Sequence, residues 1–323
     1  MKTSTKIVII MAATAILIGI FIGIGALIAM KFDFTKLDNI TYVTNTYQVE
    51  DAFTDISVEC VECDVRLLPS EDGLCKVVCN ESDKITHSVT VRGGTLSVER
   101  FDNRKWYERI GINLNWGKME LIVYLPQNEY GSLYVRNVAG NIDIPAGFSF
   151  AKADIRNTSG NVKFIADAKN ELSAKTVSGE VQLSGANPAQ LRVSTISGNV
   201  AIDSIKAETN IEAETVSGNI TFTDMECRNA DVESTSGDLR FSRLYASGNI
   251  HIESTSGDVR LTECDADSLL IKTISGDVSG SLLTEKIFIT HTSSGDIRVP
   301  DSTSGGKCEI RTTSGDVRIT ITE

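Results

Sequence analysis

Histidine is almost missing from this chain: His87, His251 and His291 are the only three in 323 residues. General acid–base catalysis and zinc chemistry both lean on histidine, and these three do not gather at one place in the sequence. No GxSxG, Walker A or HExxH stretch occurs either. Basic residues are fewer than acidic ones, 31 against 43, for a net charge of −12. A nucleic-acid partner needs a concentrated basic face, so the balance argues against one. It suits an exported domain held away from its copies by its own charge. Proline (5) and phenylalanine (11) are sparse, while glycine, serine, threonine and aspartate are plentiful. That is the composition of many short strands joined by tight turns.

Charge is absent altogether from residues 7–30, a run of 24 residues behind a polar head, 1–6, that carries Lys2 and Lys6. At helical rise the run extends roughly 36 Å, enough to span a bilayer core with some tilt. It is long for a cleaved signal peptide, and Leu27 three residues ahead of a cut after Ala29 makes a poor cleavage site. The expectation is an uncleaved single-pass membrane anchor with the bulk of the chain extracytoplasmic. The lysines of the head lean the same way. Gly19 and Gly23 form a GxxxG pair through which two such helices can approach. Residues 31–50 read as a linker and 51–130 as a small N-terminal β region or cap.

From residue 131 to 323 the sequence repeats. A Ser-Gly pair followed by Asp, Asn or Glu recurs with glycines at Gly160, Gly179, Gly198, Gly218, Gly237, Gly257, Gly276, Gly295 and Gly315, always 19 or 20 residues apart. A weaker first copy has Gly140 behind Ala139. With the serine of each copy as position 0, positions −6, −4, +3 and +5 are predominantly apolar and alternate with polar ones. This is the period of strands with one buried face. Two short strands per copy, in constant phase, predict an all-β fold: a parallel β-solenoid of about ten 19–20-residue coils, identical positions piled into ladders about 4.8 Å apart. The glycines turn the corner between the strands, where a positive φ is expected. Position −2 has inward parity but is Asn, Thr or Ser, which can hydrogen-bond along the stack or to the corner backbone.

Position +2 runs from Asn141 to five aspartates, Asp238, Asp258, Asp277, Asp296 and Asp316. Stacked carboxylates suggest calcium. Arginines at +4 (Arg240, Arg260, Arg298, Arg318) suggest a self-neutralised ladder instead, each carboxylate capping its own corner. The reading is no metal and no cofactor. Cys60, Cys63, Cys75 and Cys79 have the spacing C-x2-C-x11-C-x3-C. They are read as plain thiols, as a metal set, or as cross-strand disulfides Cys60–Cys79 and Cys63–Cys75 in a hairpin turning at residues 70–73. Trp106, Tyr107 and Trp116 form a candidate partner surface or a cap over the first coil. The regular step leaves no inserted loop to build a catalytic cleft. At the C-terminus, Val317 and Ile319 carry the buried rows to the end. The last coil is therefore expected at an open edge, frayed or available for self-association.

Several features together resemble a known family: the anchor run, the stretches 64–70 and 94–98, Tyr124-Leu125-Pro126, and the serial Ser-Gly-Asp/Asn corners. They are similar to the bacterial "putative adhesin" domain-of-unknown-function family, over about residues 50–323. The resemblance implies a β-solenoid on a membrane-tethered, envelope-facing protein, and it brings no catalytic residues. The expected function is non-enzymatic, an adhesin-like binder of an envelope protein or glycan, or a structural spacer. The alternative is a carbohydrate-active β-helix enzyme acting on envelope polysaccharide, which needs a carboxylate cluster in a groove.

Overall fold

A computed structural model describes residues 18–21, 24–25, 28–29, 42–105 and 119–322. The anchor run lies mostly outside them. Its described residues are helical and exposed, and no helix among the described residues is long and apolar enough to cross a membrane. Trp106, Tyr107 and Trp116 also lie outside the described residues.

The strands of the first third are β1 (Val43–Val49), β2 (Asp55–Glu59), β3 (Asp64–Pro69), β4 (Cys75–Glu81), β5 (Ile85–Arg92), β6 (Thr95–Asp102), β7 (Glu120–Leu125), β8 (Glu129–Ala139) and β9 (Ile142–Ile144). The regular coils follow as β10 (Ser149–Ser159), β11 (Val162–Phe164), β12 (Asp167–Ser178), β13 (Val181–Ser184), β14 (Gln190–Ser197), β15 (Val200–Asp203), β16 (Asn210–Ser217), β17 (Ile220–Cys227) and β18 (Asn229–Ser236). The chain closes with β19 (Leu239–Ser256), β20 (Val259–Ser275), β21 (Val278–Leu282), β22 (Lys286–Ser294), β23 (Ile297–Arg298), β24 (Gly306–Ser314) and β25 (Val317–Ile321).

The ladders form as the repeat predicts. Position −6 stacks Leu133, Ala153, Leu172, Leu191, Ile211, Ala230, Ile250 and Leu269 in parallel register. Position +3 stacks Ile142, Val162, Val181, Val200, Ile220, Leu239, Val259 and Val278. Nearly all of these side chains are fully buried. Each Val, Leu or Ile among them is worth on the order of 1.5–3 kcal/mol when removed from water, a gain made only against the neighbouring coils.

Both ends depart from sequence order. At the far end β24 lies between β20 and β22, and β25 lies between β21 and β23. The last coil in sequence is thus next to last in space, and Val317 and Ile319 are buried. This corrects the expectation of an open C-terminal edge. The terminal coil in space is β22–β23, which carries Thr290 where Ile310 fills the inner slot. A hydroxyl in a core row costs less at an end, where one side stays open to water. At the near end β2 lies between β6 and β8, and β3 between β7 and β9. Two further coils therefore extend the solenoid upstream of the repeat. Antiparallel β5, β4 and β1 cover them.

This topology also corrects the hairpin. β7 sits between β3 and β4, pairing with both, so the two strands around residues 70–73 never meet. Cys60 bonds to Cys63 instead, with Cα atoms 6.4 Å apart, and Cys75 and Cys79 are free buried thiols. Cys60 takes the −2 slot of its coil, in line with the stacked Ile56/Leu133 and Val58/Val135 pairs. Cys63 takes the corner, against Gly140. In the next coil Asn137 closes the same corner non-covalently, its Nδ2 donating to the carbonyls of Cys63 at 2.8 Å and Ala139 at 3.1 Å.

Each position +2 side chain caps the corner amide of a neighbouring coil and not that of its own, a second correction. The Asp258 amide N–H donates to Asp238 Oδ1 (3.2 Å), that of Asp277 to Asp258 Oδ1 (2.9 Å), and that of Asp316 to Asp277 Oδ1 (2.8 Å). In two coils the second carboxylate oxygen meets the arginine two residues on, Arg240–Asp238 at 2.6 Å and Arg318–Asp316 at 2.5 Å. An amide oxygen does the same work: Asn141 and Asn219 accept from the next coil at 2.9 Å and 2.8 Å. Asp258→Asn is therefore expected to change stability by less than about 0.5 kcal/mol. Asp258→Ala, which strips the acceptor from a corner amide, should cost about 1 kcal/mol. Urea titration of the two variants, with and without calcium, checks this; a calcium-dependent rise abolished by the asparagine would make the ladder a metal site.

Candidate functional site: a groove along the third wall

The coil has a second corner without a glycine signature. Ser204, Asp224, Arg243 and Glu263 adopt φ of 55°, 53°, 54° and 53°, one per coil, continuing the line of Gly185 at 73°. Left-handed backbone is uncommon outside glycine, so the sequence reading missed this corner. The regular 19–20-residue spacing of these positions was the only signal. Arg243 holds the turn below it by an ion pair to Asp224, its Nη2 donating at 2.9 Å.

Beyond this corner a short third wall forms. Met225, Glu226 and Cys227 pair with Leu244, Tyr245 and Ala246, and the last two pair on to Asp265 and Ala266. Inward residues alternate between large (Ile205, Met225, Leu244) and small (Ala207, Ala246, Ala266), and all are buried. The outward row reads Lys206, Glu226, Tyr245, Asp265. The small row leaves a trough beside it, bounded at its far end by Gly305 and Gly306, with a volume of about 990 Å³. It runs across the coils, along the rod, for roughly 20–25 Å at strand spacing.

The trough is polar and its lining is acidic on balance, with Glu208, Glu226, Asp265, Asp267 and Glu285 against Lys206, Arg228 and Lys286. Lys206 pairs with Glu226 at 2.8 Å and Lys286, almost wholly buried, with Asp265 at 2.7 Å. Thr284 donates to the same Asp265 oxygen at 2.8 Å, and Ser304 donates to Glu285 at 2.6 Å. The carboxyls whose pKa the structure displaces, Asp55, Asp72, Glu81, Asp224, Glu253 and Glu309, all move down and none of them lines the trough. Tyr245 offers the trough one aromatic face and, with the hydroxyl and backbone groups around it, suits a ligand rich in hydroxyls.

Two other places were candidates. A smaller groove of about 730 Å³ follows the first corner. The −2 residues beneath it, such as Thr215 and Ser234, are buried, so they form no exposed hydroxyl lattice. In the cap, Cys79, Glu81 and His87 bring ligand atoms within 4.8 Å of one another, a group not picked out by the C-x2-C-x11-C-x3-C spacing. Glu81 is already occupied. Burial alone would raise its carboxyl, but hydrogen bonds from Asn45, Tyr47 and His87 hold it below the usual range. Burial lowers the His87 pKa against the opposing pull of the Glu81 carboxylate, and the positive charge of Arg100 adds a smaller lowering. That same cation opposes a metal ion, so the group reads as a buried polar network in which the carboxylate is the only fixed anion.

Burial pushes the thiols of Cys75, Cys79, Cys227 and Cys308 from 9.0 up to about 12. A pKa raised by folding means stability that is complete below the unfolded value and lost as pH rises toward the folded one. The melting temperature is therefore expected to hold up to about pH 9 and to fall between 9 and 12. Cys79→Ala with Cys308→Ala should flatten that fall in thermal melts; an unchanged alkaline profile would mean that these thiols do not cause it.

The description Toastrack DUF4097 matches this chain over residues 53–214 and 197–323. No protein with a curated description matches. Among solved structures, a "putative adhesin" from Parabacteroides distasonis is 14% identical, over 87% of this chain and 98% of that one, with a TM-score of 0.48. A "putative adhesin" from Bacteroides fragilis is 14% identical over 87% and 97%, TM-score 0.43. A "putative lipid binding protein" from Parabacteroides distasonis is 14% identical over 86% and 96%, TM-score 0.44.

Proposed function

We propose a binding function for this chain, which belongs to the Toastrack DUF4097 family, a bacterial "putative adhesin" family: a non-enzymatic, membrane-tethered rod on the outer side of the membrane that holds an extended envelope polymer in its third-wall groove. One observation carries the reading. The groove crosses successive coils at strand spacing, so a linear chain can lie along it, and two of its three basic side chains, Lys206 and Lys286, are already paired within the protein. A neutral, hydroxyl-rich glycan strand therefore fits better than an anionic polymer, with Tyr245 as its stacking face. The 24-residue uncharged run at the N-terminus supports the tether.

Co-sedimentation with purified cell-wall glycan tests the groove. The wild-type chain should pellet with the glycan, and Tyr245→Ala combined with Arg228→Ala, which removes two side chains that line the groove, should weaken binding roughly tenfold. Equal binding by the variant would move the site elsewhere. Release of new reducing ends would replace the binder by a carbohydrate-active enzyme. Protease added to intact spheroplasts should digest the solenoid, and full protection would refute the outward topology.

A further inference from the structure

The outermost coil at the far end, β22–β23, breaks the outward pattern of the rod. Positions −7 and −5 have outward parity and are polar in most coils, as in Asn210 and Glu212, Asn249 and His251, and neighbouring Lys307 and Glu309, with Leu270 an apolar exception. In β22 they are Ile287 and Ile289, 44% and 50% exposed, with Ile297 of β23 41% exposed. β22 pairs only with β24, and β23 only with β25, so their outer edges are open among the described residues. An open edge with apolar outward residues is a template for another strand.

The sequence of that edge selects the occupant. Ile287-Phe288-Ile289 is a palindrome. In an antiparallel pair of two β22 strands centred on Phe288, Ile287 lies across from the partner's Ile289, and Ile289 across from the partner's Ile287. Phe288, half-covered against the core, lies across from its own copy and closes both cores at once. Opposed residues share a face in this register, so no side chain is turned the wrong way. Two-fold self-complementarity of this kind is what an isologous contact requires. The other open sheet edges, β5 and β1, lie at the opposite end of the rod.

We propose that β22 is a homotypic docking edge, through which two copies of this chain join tip to tip into one continuous antiparallel-seamed rod. The first sheet stacks β5, β6, β2, β8, β10, β12, β14, β16, β18, β19, β20, β24 and β22, so each rod is roughly 58 Å long at strand spacing. The seam places the two N-terminal ends at opposite extremes, roughly 115 Å apart. If the chain is tethered as proposed above, the pair bridges two facing membrane surfaces; the docking itself does not depend on that reading.

The test is sedimentation of the full chain in mild detergent across a concentration series. The wild type should show a monomer–dimer equilibrium. Ile287→Lys with Ile289→Lys, which restores polar outward residues without touching the core, should weaken it on the order of 100-fold. Register is read by cross-linking. Ile287→Cys protein mixed with Ile289→Cys protein should form a disulfide dimer, and neither variant should do so alone. A chain that stays monomeric at high concentration, a dimer indifferent to the lysine pair, or an Ile289→Cys protein that cross-links to itself would each overturn the proposal. An intact dimer seam with no glycan binding would fail the groove reading and leave this one standing.

Discussion

Gly257→Val is expected to cost about 3 kcal/mol or more, while Ser256→Ala beside it costs less than about 0.5 kcal/mol. Two strains add at the glycine. Its φ of 133° disfavours any side chain. A Cβ there would also lie 2.1 Å from the carbonyl oxygen of Gly237 in the previous coil, a clash with backbone that cannot move without unpairing the ladder. Ser256 is exposed and carries no such constraint. Gly276 separates the two causes. Its φ lies outside the left-handed range, yet its Cβ would come within 2.1 Å of the Gly257 carbonyl. If close approach dominates, Gly276→Ala should destabilise about as much as Gly257→Ala in urea titrations. A well-tolerated Gly276→Ala would leave φ as the only reason for the constant phase of the corners along the chain.

Ile310→Ala is expected to cost about 2–5 kcal/mol and Phe288→Ala only about 1–2 kcal/mol, the reverse of their side-chain sizes. The order of coils is the reason. Ile310 is fully buried between Ile271 and Thr290 in the inner slot, so its removal leaves a cavity walled on both sides. Phe288 belongs to the outermost coil and is only partly buried. Stacking in sequence order would exchange these positions. A larger loss for Phe288→Ala than for Ile310→Ala, measured on the monomeric lysine-pair variant so that the seam does not contribute, would contradict the intercalated end.

The regular part of this fold was legible because a solenoid makes every coil solve the same problem. One glycine per coil marks the first corner, and period-two alternation on either side of it marks two strands. The phase of 19 or 20 residues by itself aligns Leu133 with Leu172 and Leu269. The buried −2 hydroxyls were legible too, from parity alone. The second corner was not, because Asp224, Arg243 and Glu263 take a left-handed turn that their residue types do not announce. The groove that depends on that corner was hidden with it.

Sequence alone therefore determined the coil, its register and its buried rows, since each follows from local periodicity repeated along the chain. Tertiary structure alone decided which coil lies beside which at the two ends. Identical coils fit one another in any order, so local pattern cannot distinguish β20–β22–β24 from β20–β24–β22. That choice rests on which coil can leave a core row to solvent. Thr290 and Phe288 tolerate the open end, while Cys308, Ile310, Val317 and Ile319 are apolar throughout and fill the closed one. The same logic put β7 between β3 and β4, kept Cys75 and Cys79 from their expected partners, and left Cys60 and Cys63 to close the first corner.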